Sequence, residues 1–149
     1  GIHSEAALLS TKERTTLSYV LGADHIFSYD PMFQVRFEYY HNEAGYASMK
    51  DYLKAVSEDP TLSLSPGQIM RDYIYLGTSR SINDDITFNG TILYNLNDGS
   101  YLSLPEIAYT HTVDTTFLLR VSILNGSDTS EFGSLPINFA VTLETTMYF

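Results

Sequence analysis

The chain has 149 residues, a length that suits one domain covering residues 1–149. Its mean hydropathy of −0.09 excludes a bundle of transmembrane helices, each of which needs roughly 20 consecutive apolar residues. The net charge of −10 excludes nucleic acid as an expected partner, because binding it depends on a basic surface. The absence of cysteine excludes disulfides and thiolate metal sites.

Eight segments carry strand-like patterns, and most alternate apolar and polar residues as β-strands do. The third is the clearest internal example, since Phe33, Val35 and Phe37 alternate with Arg36 and Glu38. The pattern predicts an all-β, antiparallel fold. The predicted strands are Ile2 to Ser10, Thr16 to Tyr29, Phe33 to His41, Asp72 to Ile82, Ile86 to Leu96, Tyr101 to His111, Phe117 to Ile123 and Phe139 to Phe149.

Pro105 stands inside the sixth predicted strand. Proline has no N–H group to donate to a neighbouring strand, so it fits an edge strand or a bulge better than a regular central strand. We therefore expect this strand to lie at an edge or to be irregular.

The longest connections fall at one end of the sheet, although residues 97–100 are a short connection at that same end. In an antiparallel sheet, residues 42–71, 97–100 and 125–136 share one end, and residues 30–32, 83–85 and 112–115 share the other. Within the longest connection, residues 47–57 place Met49, Leu53 and Val56 at helical spacing. This predicted helix either packs on the rim of the sheet or folds as a plug into the space that the sheet encloses.

The last strand ends on an aromatic residue after alternating apolar positions, Val141, Leu143 and Met147, interrupted by Thr145. This ending resembles the closing strand of bacterial outer-membrane β-barrels. In that class, a terminal Phe preceded by apolar residues at alternate positions is the recognition signal for barrel assembly. The resemblance implies that Val141, Leu143, Met147 and Phe149 form such a signal.

The same resemblance implies an antiparallel transmembrane β-barrel with about eight strands from this chain, short periplasmic turns and longer extracellular loops. Residues 95–133 also look like the last strands of larger porin-like barrels, so the chain is either a whole barrel or the C-terminal part of one that another polypeptide completes. The implied location is the bacterial outer membrane. The implied partners are the lipid bilayer, lipopolysaccharide and the barrel-assembly machinery.

Charged residues occupy the strand positions opposite the apolar stripe, where we expect them to line the barrel interior. Two interpretations are open: a polar path for solutes, or an ion-pair network that fills a closed lumen. These residues are Asp24, Arg36, Glu38, Glu106, Arg120 and Glu144.

The remaining chemistry-bearing residues predict neither an enzyme nor a metal or cofactor site. The four histidines lack ligand spacing and are expected to be isolated, and no G-x-S-x-G motif is present. Acidic loop residues, among them Asp128 and Glu131, are expected to be solvated.

The predicted function is therefore a porin-like pore or barrel component for the passive passage of small solutes. One alternative is a closed barrel that acts as an anchor or adhesin through its extracellular loops. Another is a soluble β-barrel that binds a small apolar ligand, with the apolar stripe turned inward.

Overall fold

The computed structural model describes residues 1–10, 15–28, 32–64 and 69–148, without the side chains of residues 63 and 64. The eight predicted strands are confirmed, each within about two residues wherever its ends are described. The elements are β1 (Ile2–Ser10), β2 (Thr15–Phe27), β3 (Phe33–Asn42), α1 (Met49–Glu58), a 3₁₀ helix (Pro60–Leu64), β4 (Asp72–Ser81), β5 (Ile86–Asn95), β6 (Tyr101–Thr112), β7 (Thr115–Asn125) and β8 (Phe139–Met147).

The strands form one antiparallel sheet in the order β1-β2-β3-β4-β5-β6-β7-β8, so every strand pairs with its neighbours in the chain. The all-β, antiparallel prediction is therefore confirmed. The sheet is open over the described residues: β1 pairs with β2 and β8 pairs with β7, and each leaves its other edge free.

The connections after β3, β5 and β7 lie at one end of the sheet, as predicted from their parity, and they contact one another there. The Arg71 backbone N–H donates to Asn97 Oδ1 at 3.1 Å, which joins the connection after β3 to the one after β5. The Tyr73 hydroxyl at the start of β4 lies 2.8 Å from Glu131 in the connection after β7. We call this end of the sheet the loop end.

The strand register separates the side chains into two faces of different character. The polar face carries the charged residues predicted to line a lumen, and the apolar face lies on the other side of the sheet. On the apolar face, large side chains from all eight strands are more than a third exposed. They include Leu8, Leu17, Leu21, Phe37, Leu76, Ile92, Ile107, Leu119, Val141 and Leu143.

The extent of this exposure is large for the size of the chain. A compact soluble monomer with the mass of this chain exposes about 7,700 Å². The structure exposes 10162 Å². The excess arises because the sheet is a single layer, with the apolar face uncovered and the polar face covered only at one end.

Pro105 lies in an interior strand, so the expectation of an edge strand is wrong. β6 runs between β5 and β7, and Pro105 pairs with Gly90 of β5. On the other side, the ladder to β7 pairs Ser103 with Ile123 and then Glu106 with Arg120. The missing N–H of proline is accommodated in this gap of the ladder, and a separate register shift follows between Thr110 and Thr112.

Helix α1 starts at an N-cap formed by Ser48, whose hydroxyl oxygen accepts from the Asp51 N–H at 3.2 Å. Its first residue, Met49, packs against the buried cluster at the loop end, whereas Leu53 is largely exposed. Neither of the helices in the described ranges has the length and apolar character needed to cross a membrane.

Candidate functional site

The register places all six of the predicted charged residues on the polar face. Arg36 of β3 is paired with Asp24 of β2, and Arg120 of β7 is paired with Glu106 of β6. Glu38 lies two residues beyond Arg36, and Glu144 of β8 lies on the same face. Five of the six charges form two separate groups and Glu144 stands apart from both, so they make no continuous ladder across the sheet.

The first group lies across β1, β2 and β3. His3 Nε2 lies 3.1 Å from Glu38 Oε1, and His3 Nδ1 lies 3.8 Å from Asp24 Oδ1. The imidazole fits between the carboxylates because the intervening residue is Gly22, where a Cβ atom would collide with the ring of His3. The expectation of isolated histidines is wrong here, because alternation along β1 turns His3 toward the same face as both acids.

Arg36 belongs to this group but is weakly held. Its side chain is 49% exposed, and its nearest acidic atom among the described residues is Glu38 Oε1 at 4.0 Å. Asp24 is the partner of Arg36 in the register, but its Oδ2 atom lies 3.5 Å from the nitrogen of the Gly1 ammonium group. The guanidinium group is therefore available to a further ligand.

The second group is tighter and lies across β5, β6 and β7. Arg120 donates from Nε and Nη2 to Glu106 Oε2 at 2.9 and 2.6 Å. Asn89 Nδ2 donates to the other carboxylate oxygen of Glu106 at 3.2 Å. The pair is a cross-strand contact of opposite charges, which stabilises the register of β6 against β7.

Glu144 stands apart from both groups. It lies on the edge strand β8, is exposed, and has no ionic contact among the described residues. Leu118 is its register partner on β7.

At the loop end, loop residues cover the polar face and form a buried apolar cluster on it. Met70 and Phe132, from the connections after β3 and β7, pack against Tyr73 to form the buried core of the described residues. Leu93 and Leu102 support this cluster from the polar face of β5 and β6. The loops fold onto the polar face and leave the apolar face bare.

Glu131 ties this cluster together, so the expectation of a solvated loop acid is wrong for this residue. Its carboxylate accepts hydrogen bonds from the Tyr73 hydroxyl and from Asn95 Nδ2, both at 2.8 Å. Its backbone N–H donates to Asp98 Oδ2 at 2.7 Å. Burial raises the pKa of Glu131, and the nearby charge of Asp98 acts in the same direction, against the hydrogen bonds that the carboxylate accepts.

His41, which lies at the loop end, has an acidic partner as His3 does. His41 Nδ1 lies 2.7 Å from Asp72 Oδ1, and the Tyr39 hydroxyl donates to the same oxygen at 2.6 Å. The expectation of an isolated histidine is therefore wrong for His41 as well. Sequence reasoning missed these contacts because the partners are more than 30 residues apart in the chain.

The residues of the predicted assembly signal lie on the apolar face of β8. Leu143 is 72% exposed, and Val141 and Met147 are also more than half exposed. Phe149, the last residue of the signal, lies outside the described residues.

Within the described parts of the chain, no three His, Asp or Glu side chains come together in a way that could hold a metal ion. The geometry of the site is that of charged, amide and hydroxyl groups spread over one face of a sheet. This arrangement suits contact with water and polar solutes.

Comparisons with protein family models, with curated proteins and with solved structures find no match to this chain.

Proposed function

We propose that the chain forms the wall of an outer-membrane β-barrel and that its polar face lines a passage for small solutes. One observation carries the proposal: the apolar face is bare along the sheet, while the loops fold onto the opposite face. Contiguous apolar patches larger than a few hundred Å² are rare on soluble monomers and mark surfaces that something else covers. Acyl chains of a bilayer would cover this face.

The free edges of β1 and β8 indicate how the wall would be completed. In a bilayer, each unpaired backbone N–H or C=O group costs several kcal/mol, so a membrane sheet must close. The two edges either pair with each other or pair with strands of another polypeptide, which would make this chain part of a larger wall. In both arrangements the polar face is turned to the inside.

Reconstitution into planar bilayers tests the proposal. We expect discrete single-channel currents with a mild preference for cations, because the chain carries a net charge of −10. Folded protein should also migrate differently on gels before and after heating. Partition into the aqueous phase, away from detergent, would contradict the membrane location and favour the soluble ligand-binding alternative.

A second candidate is a closed barrel that acts as an anchor or adhesin through its loops. The buried Met70, Tyr73 and Phe132 cluster favours it, because these residues cover part of the polar face at the loop end. Membrane insertion without any conductance, together with binding of the loop end to a surface, would favour this candidate over a pore.

A further inference from the structure

The polar face contains a concave region of about 280 Å³ between the two charged groups, which we call the trough. Its floor is the backbone of β4 and β5, where no charged side chain lies on this face. The side chains that line it from the polar face are Gln34, Arg36, Tyr75, Ser79, Asn89 and Thr91.

Gly77 creates the space. A Cβ atom at this position would lie 2.7 Å from Tyr75 Oη and 2.9 Å from Tyr75 Cε1. The Tyr75 ring therefore leans along β4 over the glycine and presents an aromatic surface to the trough. A larger residue would displace the ring and fill the hollow.

The polar groups of the trough are largely unused by the protein itself. Among the described residues, the side-chain amide of Gln34 and the hydroxyl of Tyr75 have no hydrogen-bond partner. Asn89 uses one N–H for Glu106 and keeps its amide oxygen as an acceptor. The trough thus offers donors and acceptors around one aromatic ring.

The charges around the trough are balanced. Arg36 is beside Glu38 on one side, and Glu106 is paired with Arg120 on the other. A solute in the trough therefore meets no strong net charge. Planar amide and guanidinium groups can each hold adjacent hydroxyls of one molecule, and a tyrosine ring can stack on its C–H groups.

We propose that the trough is a subsite for a neutral, polyhydroxylated solute of monosaccharide size. The proposal deepens the proposed function and rests on it, because the polar face must be open to water for a solute to reach the trough. Gln34 and Asn89 bind hydroxyls, Tyr75 stacks, and Gly77 provides the room.

Ligand-observed NMR with D-glucose on the folded full chain in detergent micelles tests the proposal without any need for conductance. We expect saturable binding, which Gln34→Leu weakens about fivefold, the effect of one lost hydrogen bond. Gly77→Ala should weaken it as well, although it removes no polar atom. Thr142→Leu, on the polar face of β8 and outside the trough, is the matched control and should bind like the parent chain.

Absence of glucose binding by folded protein, or binding that is unchanged in both Gln34→Leu and Gly77→Ala, would overturn the subsite. Tighter binding of D-gluconate than of glucose would also overturn it, because the trough would then be an anion site centred on Arg36. Swelling of vesicles in glucose tests the proposed function separately. Vesicles that swell without detectable binding overturn the subsite alone, and binding without any permeability supports the subsite while it contradicts the pore.

Discussion

Tyr73 and Glu131 are 58 residues apart in the chain, yet the Tyr73 hydroxyl lies 2.8 Å from both oxygens of the Glu131 carboxylate. The same hydroxyl accepts from the Met70 N–H at 2.8 Å. One side chain from a strand and one from a loop thus join two long connections to the sheet. This contact holds the two connections in a fixed position against the sheet.

Replacement of Glu131 with alanine should loosen the loop end. The change leaves the Tyr73 hydroxyl and Asn95 Nδ2 buried without their acceptor, which costs about 2 kcal/mol. Limited proteolysis of the folded protein should then cut within residues 126–138 faster than in the parent chain. Asp128→Ala, a change of an exposed acid in the same loop, is the control and should cleave at the parent rate.

The loop end should also respond to pH through Glu131. Because its pKa is raised in the folded state, the folded chain holds this proton to higher pH than the unfolded chain. The stabilisation is fully present below the unfolded value, about 4.3, and is lost as pH rises through the folded value. Hydrogen exchange of the Met70 and Phe132 amides, corrected for intrinsic rates, should show protection that falls with rising pH.

Glu131→Gln provides the reference for that experiment, since it removes the titration and keeps the size of the side chain. The difference in protection between parent and variant should shrink at acid pH and grow toward neutral pH. A parent chain that gains protection relative to Glu131→Gln as pH rises would contradict the assignment.

The Glu106–Arg120 pair should contribute modestly to stability. Its N–O distance is 2.6 Å, but the Arg120 side chain is 42% exposed, so water screens the attraction. A double-mutant cycle with Arg120→Leu and Glu106→Leu, followed by urea unfolding, should give a coupling of about 1 kcal/mol. Single-channel recordings of Arg120→Leu then distinguish two roles: changed conductance indicates an open path, and unchanged conductance indicates a structural ion pair.

A charge on the apolar face should be costly only if lipid covers that face. Leu119 lies on the apolar face of β7, and Ser122 lies on the polar face of the same strand. In phospholipid vesicles, Leu119→Arg should lower the free energy of unfolding by about 2–4 kcal/mol, whereas Ser122→Arg should change it by less than about 1 kcal/mol. Equal effects of the two changes would argue against burial of the apolar face in a bilayer.

The alternation of residues was enough to predict the strands, because a period of two sorts Phe33, Val35 and Phe37 to one face whatever the partner strand is. It also placed Arg36 and Glu38 on the other face correctly. Pro105 indicated an edge strand or an irregular one, and it lies in an interior strand because a gap in one ladder accommodates the proline.

The contacts between distant elements could not be predicted. Nothing in the local sequence indicates that Glu131 would reach Tyr73, since a Gly- and Ser-rich loop is typical of solvated chain. The trough could not be predicted from the sequence for a related reason. Gln34 and Asn89 are ordinary polar strand residues, and only the register through β4 brings them near each other, on either side of Ser79.

The neighbour-to-neighbour strand order has a kinetic consequence. Each hairpin can form soon after its two strands meet, because the partners are close in sequence and little chain entropy is lost. Among the described residues, the outer sides of β1 and β8 have no such local partner, so in the barrel that we propose they would join across the whole chain or to a separate one. We expect this joining of β1 and β8, rather than the formation of any hairpin, to limit the rate at which the closed wall forms.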